Sequence, residues 1–244
     1  MTIRISSTED PANRAATAMV LDLRNSTALL RLLKNKEKRM LIIKMMIGIH
    51  EEIINYLYER SGVNKSDFAF NDTGDGHLIV FANESHAISC VQCAAHLSTF
   101  LRGHIAEYNR ALKIDRGNLR YDFGIGVHTA YARFIEMEYK TDADTIASKQ
   151  IILGNAVNSA ARVESMTKNF LGVDLLITEN TRRNCQKQAA GKVKKLFKKD
   201  EGYMKIIGEV RHMIKDSKPD GHTLYTLSAK FNSHYKELLG VTKH

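Results

Sequence analysis

The stretch "FAFNDTGDGHLIVF", residues 68 to 81, decides the fold. Two runs of aromatic, aliphatic and β-branched residues flank six residues that hold two aspartates and two glycines. The flanks read as two short strands and the centre as the turn of a hairpin. Gly74 and Gly76 can take backbone angles closed to other residues, and Asp72 or Asp75 can accept from local backbone N–H groups. Taken alone this is a turn. Its acidity is out of character for a chain of 244 residues with formal net charge +9, and that points to a cation.

Outward from the hairpin, "TAMVLDL" (17–23) reads as a buried strand ending on Asp22, and "STALLRLLKN" follows with helical spacing. Residues 37–60 and 84–113 read as long helices, rich in apolar positions. "LRYDFGIGVHTAYARFIEMEY" (119–139) reads as a strand pair and "KTDADTIASKQ" as a polar loop. "GNAVNSAARVESMTKN" is a helix led by Gly154 and Asn155, "GVDLLITE" a strand and "NTRRNCQKQ" a short helix. "KVKKLFKK" (192–199) alternates lysine with apolar residues like an exposed strand, and "YMKIIGEVRHMI" and "HTLYTL" close the chain as strands. Hairpins recur between helices, so the expected class is α+β, with helices on a mainly antiparallel sheet. Two prolines and no flexible linker give no domain boundary, so residues 1–244 are expected to form one domain with its core at about 15–230.

The apolar fraction of 43% and mean hydropathy of −0.29 suit a water-soluble chain. The longest apolar run, residues 40–49, is too short for a bilayer and is broken by Lys44. The N-terminus lacks the apolar core of a secretion signal, so no membrane is expected and the location is expected to be cytoplasmic. Cys90, Cys93 and Cys185 are too few for a structural zinc site and read as small buried hydrophobes. The basic excess fits either nucleic acid or a polyanionic small substrate. "KVKKLFKK" offers only Phe197 for base stacking, so nucleic acid is not the expected partner.

Two more segments bear on the cation. "MVLDLRNST" places Asp22 at a strand end before small polar residues, whose N–H groups could meet phosphates. "ILGNAVNSAARVES" places Asn158 and Arg162 four residues apart, on one helix face. Paired carboxylates suit Mg²⁺ completed by phosphate oxygens, while Arg and an amide suit a phosphoryl group and a sugar.

Together these segments resemble the class III nucleotidyl cyclase catalytic domain. "VLDLRNST" is similar to its first metal motif, "NDTGDGHLIVF" to its Thr-x-Gly-Asp hairpin, and "LGNAVNSAARVES" to its Asn/Arg helix. "FGIGVHTA" and "LLITENT" are similar to two further strands, all in family order from about residue 17 to 181. The resemblance implies an α/β sandwich with a ferredoxin-like βαββαβ core. It implies two Mg²⁺ or Mn²⁺ ions on Asp22 and Asp75, with the Leu23 carbonyl helping. Asn25, Ser26, Thr27 and Lys218 would bind phosphates, Asn158 would position the ribose, and Arg162 would stabilise charge on the α-phosphate. The substrate would be a nucleoside triphosphate. The sites would be shared across a homodimer, with Asp22 and Asp75 from one protomer and Asn158 and Arg162 from the other.

The departures concern the base. Adenylyl cyclases of this family carry Lys and Asp, and guanylyl cyclases Glu and a small residue, where this chain has Asn71 and Ile151. The Gly usual after "HT" is Ala130. One amide can make two hydrogen bonds to uracil or, rotated by half a turn, to cytosine. With no fused sensor segment in the sequence, the chain resembles the bacterial pyrimidine cyclases of anti-phage defence. That resemblance implies cUMP or cCMP as an alarm signal read by a downstream effector. The alternative is a divergent adenylyl cyclase making cAMP, and a catalytically silent nucleotide-binding scaffold is disfavoured because Asp22, Asp75, Asn158 and Arg162 are all present.

Overall fold

The structure, a computed structural model, describes residues 2–5, 13–32, 35–113, 120–140, 146–210 and 222–231. In chain order the elements are β1 (Thr2–Ile5), β2 (Arg14–Arg24), α1 (Ser26–Leu32), α2 (Lys36–Asn55), β3 (Phe68–Asp72) and β4 (Gly76–Phe81). They continue with α3 (His86–Ala111), β5 (Asp122–Lys140), β6 (Ile146–Leu153), α4 (Asn155–Met166) and β7 (Leu175–Thr178). The last are α5 (Glu179–Gln188), β8 (Met204–Val210) and β9 (His222–Leu227).

Among the described residues the strands form one sheet in the order β3-β4-β2-β5-β7-β9-β8, with β1 and β6 both paired to β5. Among the described strands only β5 and β7 run parallel. The run β2-α-β3-β4-α3-β5, with spatial order β3-β4-β2-β5, is the ferredoxin-like core that the sequence led us to expect.

Strand periodicity sorts β2 between two layers. Met19, Leu21 and Leu23 face the main core with Ile42, Met45, Ile49 and Ile53 of α2 and Leu97 and Leu101 of α3. The α2 positions recur every three or four residues, so that helix buries one stripe. Its start is capped by Asn35, whose side-chain oxygen accepts from Glu37 N at 2.7 Å. Ala16 and Ala18 face the other layer, where they meet Ala69, Val80 and, on α4, Ala156 and Ala160. These small side chains let α4 lie close to the sheet. Closest of all is Gly126 of β5, where a Cβ would sit 2.1 Å from Glu164 N and 2.3 Å from Ala160 O. Gly126 of "FGIGV" is there because a helix backbone crosses it, while Gly124 lies under the side chains of Glu164, Thr167 and Arg24.

The three cysteines are buried and free, as expected. Burial pushes the Cys93 and Cys185 thiols well up, so they stay protonated.

Three expectations are corrected. Residues 119–139 are not a strand pair: Asp122–Lys140 is one strand, paired to β2 along its first half and to β6 and β1 along its second. The supposed loop ends in β6, whose backbone pairs with β5 from Ile146↔Lys140 to Leu153↔Arg133, while residues 141–145 lie outside the described residues. Pairing partners, not side-chain polarity, make that strand. "KVKKLFKK" is a 3₁₀ segment, Gly191–Phe197, not a strand. Leu196 and Phe197 are adjacent and both buried, which a strand with one face in solvent cannot achieve. Its lysines are exposed.

Candidate active site

Asp22 sits near the end of β2, on the α4 side by the alternation that puts Ala16 and Ala18 there. Its neighbours across the sheet are Gly76 on β4 and Gly124 on β5. Neither has room for a Cβ unless its neighbours shift. A Cβ on Gly76 would lie 2.7 Å from Leu21 O, and one on Gly124 would lie 2.2 Å from Glu164 Oε1.

The hairpin tip is held to this strand end. Asp72 Oδ1 accepts from Gly74 N at 2.7 Å, Thr73 N donates to Gly76 O at 2.9 Å, and Gly74 takes φ 97°. Leu23 N then donates to the Asp75 backbone oxygen at 3.1 Å. The tip is therefore fixed beside Asp22, with the half-buried Asp75 carboxylate accepting from Ser26 Oγ at 2.5 Å.

After Arg24 the chain turns sharply. Asn25 takes φ 65°, a left-handed conformation that asparagine tolerates better than most residues. Its side-chain N–H₂ donates to Arg120 O at 2.7 Å, and α1 begins at Ser26. A cleft of about 720 Å³ results, lined by Asp22, Leu23, Asn25, Ser26, Thr27 and Asp75. The structure thus brings together every predicted metal and phosphate residue except Lys218, which lies outside the described residues.

The electrostatics favour a cation. Burial raises the Asp22 carboxyl above its ordinary range and the nearby Asp75 carboxylate raises it further, against the pull of Lys168 and Arg24. Two carboxylates pressed together in a part-buried cleft are a hard-oxygen donor set, which fits Mg²⁺ or Mn²⁺.

Other parts of the cleft were missed in the sequence. Lys168 lines it from just beyond α4. Arg24 also lines it, and is held by Asp122 at 2.9 Å and by Thr167. Glu164 of α4 lies behind Asp22. Burial first, then Asp22, raises its pKa to about 6. No local pattern marks Lys168 or Glu164, because only the packing of α4 on β5 brings them to Asp22, whereas Arg24 stands two residues along β2 from Asp22.

Asn158 and Arg162 share a face of α4, as their spacing predicted, but neither lines the cleft. The inward face of that helix is Ala156, Ser159, Ala160 and Val163, leaving Asn158 exposed and Arg162 half-buried. Val157 is half-buried and Ala161 is exposed. Asn71 is half-buried on β3, on the α4 side beside Leu78, its cross-strand partner. Ile151 is half-buried on β6 opposite Ile135, while its neighbour Ile152 turns into the α4 layer. Neither Asn71 nor Ile151 lines the Asp22 cleft.

This architecture recurs among solved structures. A bacterial light-regulated adenylyl cyclase aligns with 91% of the chain at TM-score 0.60 and 18% identity, the chain spanning 54% of that protein. The guanylyl cyclase Cya2 aligns with 92% of the chain at TM-score 0.59 and 17% identity, over 98% of its own length. The fold is that of an adenylyl/guanylyl cyclase catalytic domain. Within this cyclase fold, the sequence itself is 30% identical over 95 residues to an adenylate cyclase of Anabaena cylindrica. That match takes in 38% of the chain and 18% of the relative. No family model matches the chain.

Proposed function

We propose that the chain is a nucleotidyl cyclase catalytic domain, converting a nucleoside triphosphate to a 3′,5′-cyclic nucleotide and pyrophosphate. The observation that carries this reading is the cleft in which the Asp22 carboxylate of β2 and the Asp75 carboxylate of the β3–β4 turn meet the turn at Asn25 and Ser26.

The ribose 3′-oxygen attacks the α-phosphorus in line, the bond to the β-phosphate bridging oxygen breaks, and pyrophosphate leaves. Asp22 and Asp75, with the Leu23 carbonyl, hold two Mg²⁺ or Mn²⁺ ions. When bound, such ions lower the pKa of the 3′-hydroxyl and neutralise the leaving phosphates. The turn at Asn25 to Thr27 holds the outer phosphates, joined by Lys168 from the cleft wall and by Lys218. Asn158 orients the ribose, and Arg162 stabilises charge building on the α-phosphate.

Within one protomer Asn158 and Arg162 do not line the carboxylate cleft, which supports a homodimer whose two sites each combine Asp22 and Asp75 with the partner's Asn158 and the partner's Arg162. One catalytic domain per chain suffices for this arrangement.

The base preference follows from hydrogen-bond types. Ile151 offers no acceptor to an adenine amino group, and Asn71 has no charge with which to read guanine. A single amide satisfies the two edge groups of uracil or cytosine. The substrate we favour is therefore UTP or CTP, and the product an antiviral second messenger, cUMP or cCMP, read by an effector in the cytoplasm. No helix among the described residues is long and apolar enough to cross a membrane. The local match to an adenylate cyclase favours the second reading, cAMP synthesis.

Incubation of the purified chain with ATP, GTP, CTP and UTP in turn, with Mn²⁺, and mass spectrometry of the products, tests both levels. We expect a cyclic pyrimidine nucleotide and pyrophosphate. cAMP alone would overturn the pyrimidine reading, and no cyclic product from any of the four would overturn the cyclase reading.

A further inference from the structure

Behind the hairpin that carries Asp75, three side chains from two elements converge. Asp72 and His77 are the closing cross-strand pair of the hairpin, so both project to one face of the sheet. It is the face covered by α2, opposite to the face of Asp22 and Asn71. His50 of α2 reaches that pair: its Nδ1 lies 3.3 Å from Asp72 Oδ2. One ligand atom from each of the three residues lies within 4.8 Å of the other two.

The polar atoms here are not otherwise used. His77 is buried, and neither its Nδ1 nor that of His50 makes a hydrogen bond. Asp72 commits Oδ1 to Gly74 N, which leaves Oδ2 aimed at His50. The rings are held in place. Phe70 stacks on His77 at 5.6 Å with the planes 24° apart, and lies 5.3 Å from His50.

We propose that His50, Asp72 and His77 form a second cation site, selective for a divalent ion of the zinc class, which clamps the Asp75 hairpin to α2. The donor set decides the class: two imidazoles and one carboxylate suit zinc, whereas the all-oxygen cleft around Asp22 suits magnesium or manganese. The spacing agrees. Zinc bonds of about 2.0–2.1 Å in a tetrahedron place neighbouring donors about 3.4 Å apart. His50 and Asp72 already stand at 3.3 Å. No separation exceeds 4.8 Å, so closure takes a shift of at most about 1.4 Å, which the half-exposed His50 and Asp72 side chains can supply without moving the sheet. Three protein ligands leave a fourth position for water. The ion would join the helix to both strands of the hairpin, three residues before and two after Asp75.

The site goes beyond the cyclase reading and does not depend on it, because its test reads metal binding, not turnover. Zinc affinity is measured by competition with a chromophoric chelator, with millimolar Mg²⁺ present to occupy the Asp22–Asp75 cleft. The full chain should retain one zinc per protomer. His50→Ala and Asp72→Asn should each weaken binding by roughly 10-fold or more, since even residues behind the ligands typically change affinity by that much. Zinc should also raise the melting temperature of the wild type but not of His50→Ala. His50 is half-exposed on a helix, so His50→Ala should keep the melting temperature of the metal-free wild type. If the wild type takes up no zinc, or if His50→Ala binds zinc as tightly as the wild type, the site does not exist as described.

Discussion

Replacement of Gly126 by alanine isolates the contact on which the active-site helix depends. The new Cβ would stand 2.1 Å from Glu164 N, 2.3 Å from Ala160 O and 2.7 Å from Glu164 Cα. All three are backbone atoms of α4 and cannot rotate away. An ordinary contact begins at 3.4 Å, so helix and strand must separate by about 1.3 Å. Overpacking of this kind costs about 1–3 kcal/mol, and a rigid neighbour puts it at the upper end. A loss of about 3 kcal/mol, divided by a urea m-value of about 3 kcal/mol/M, lowers the unfolding midpoint by about 1 M. Activity should fall further than stability, because α4 carries Asn158 and Arg162 and a displacement of about 1 Å at a reacting centre can cost about 100-fold. Urea titration followed by circular dichroism, with turnover measured well below the transition, gives both numbers. A midpoint within about 0.2 M of wild type would refute the close packing of α4 on β5.

Gly103 is the counter-case: it is exposed on α3, and a Cβ added there would meet nothing within 4 Å, so Gly103→Ala should stabilise by about 0.5–1 kcal/mol in the same titration. Asp75→Ala should abolish cyclisation while costing only about 1 kcal/mol of stability, because it loses the Ser26 bond but keeps the backbone bond to Leu23; near-normal turnover would make Asp75 a turn residue only. Acid should weaken the fold through Glu179. Burial pushes its carboxyl up, but hydrogen bonds led by those from Arg182 outweigh that and bring it from 4.5 to about 2. The depressed value contributes about 3 kcal/mol that is present above pH 4.5 and is lost as pH falls toward 2, and Glu179→Gln should flatten stability over that window.

The parts of the fold that local chemistry dictates were legible in the sequence. The hairpin at 68–81 follows from alternation around a glycine-rich turn, and the pair Asp22 and Asp75 from acid at a strand end and in that turn. The helix carrying Asn158 and Arg162 follows from its spacing. What long-range pairing dictates was not legible. β6 is polar along part of its length and is a strand because β5 runs on beside it. Lys168, just beyond the end of α4, reaches the cleft because α4 crosses the sheet against Gly126. His50 and His77 stand 27 residues apart, on a helix and a strand that face each other only after the sheet forms.

The shared active site is tested most directly by mixing Asp22→Ala and Arg162→Ala chains, each inactive alone. A mixed dimer has one site with both defects and one with neither. Half of the dimers in an equal mixture are mixed, so about a quarter of wild-type activity should return as subunits exchange. If exchange is shown by mass spectrometry of the intact dimers and activity stays absent, Asp22 and Arg162 do not meet across two protomers.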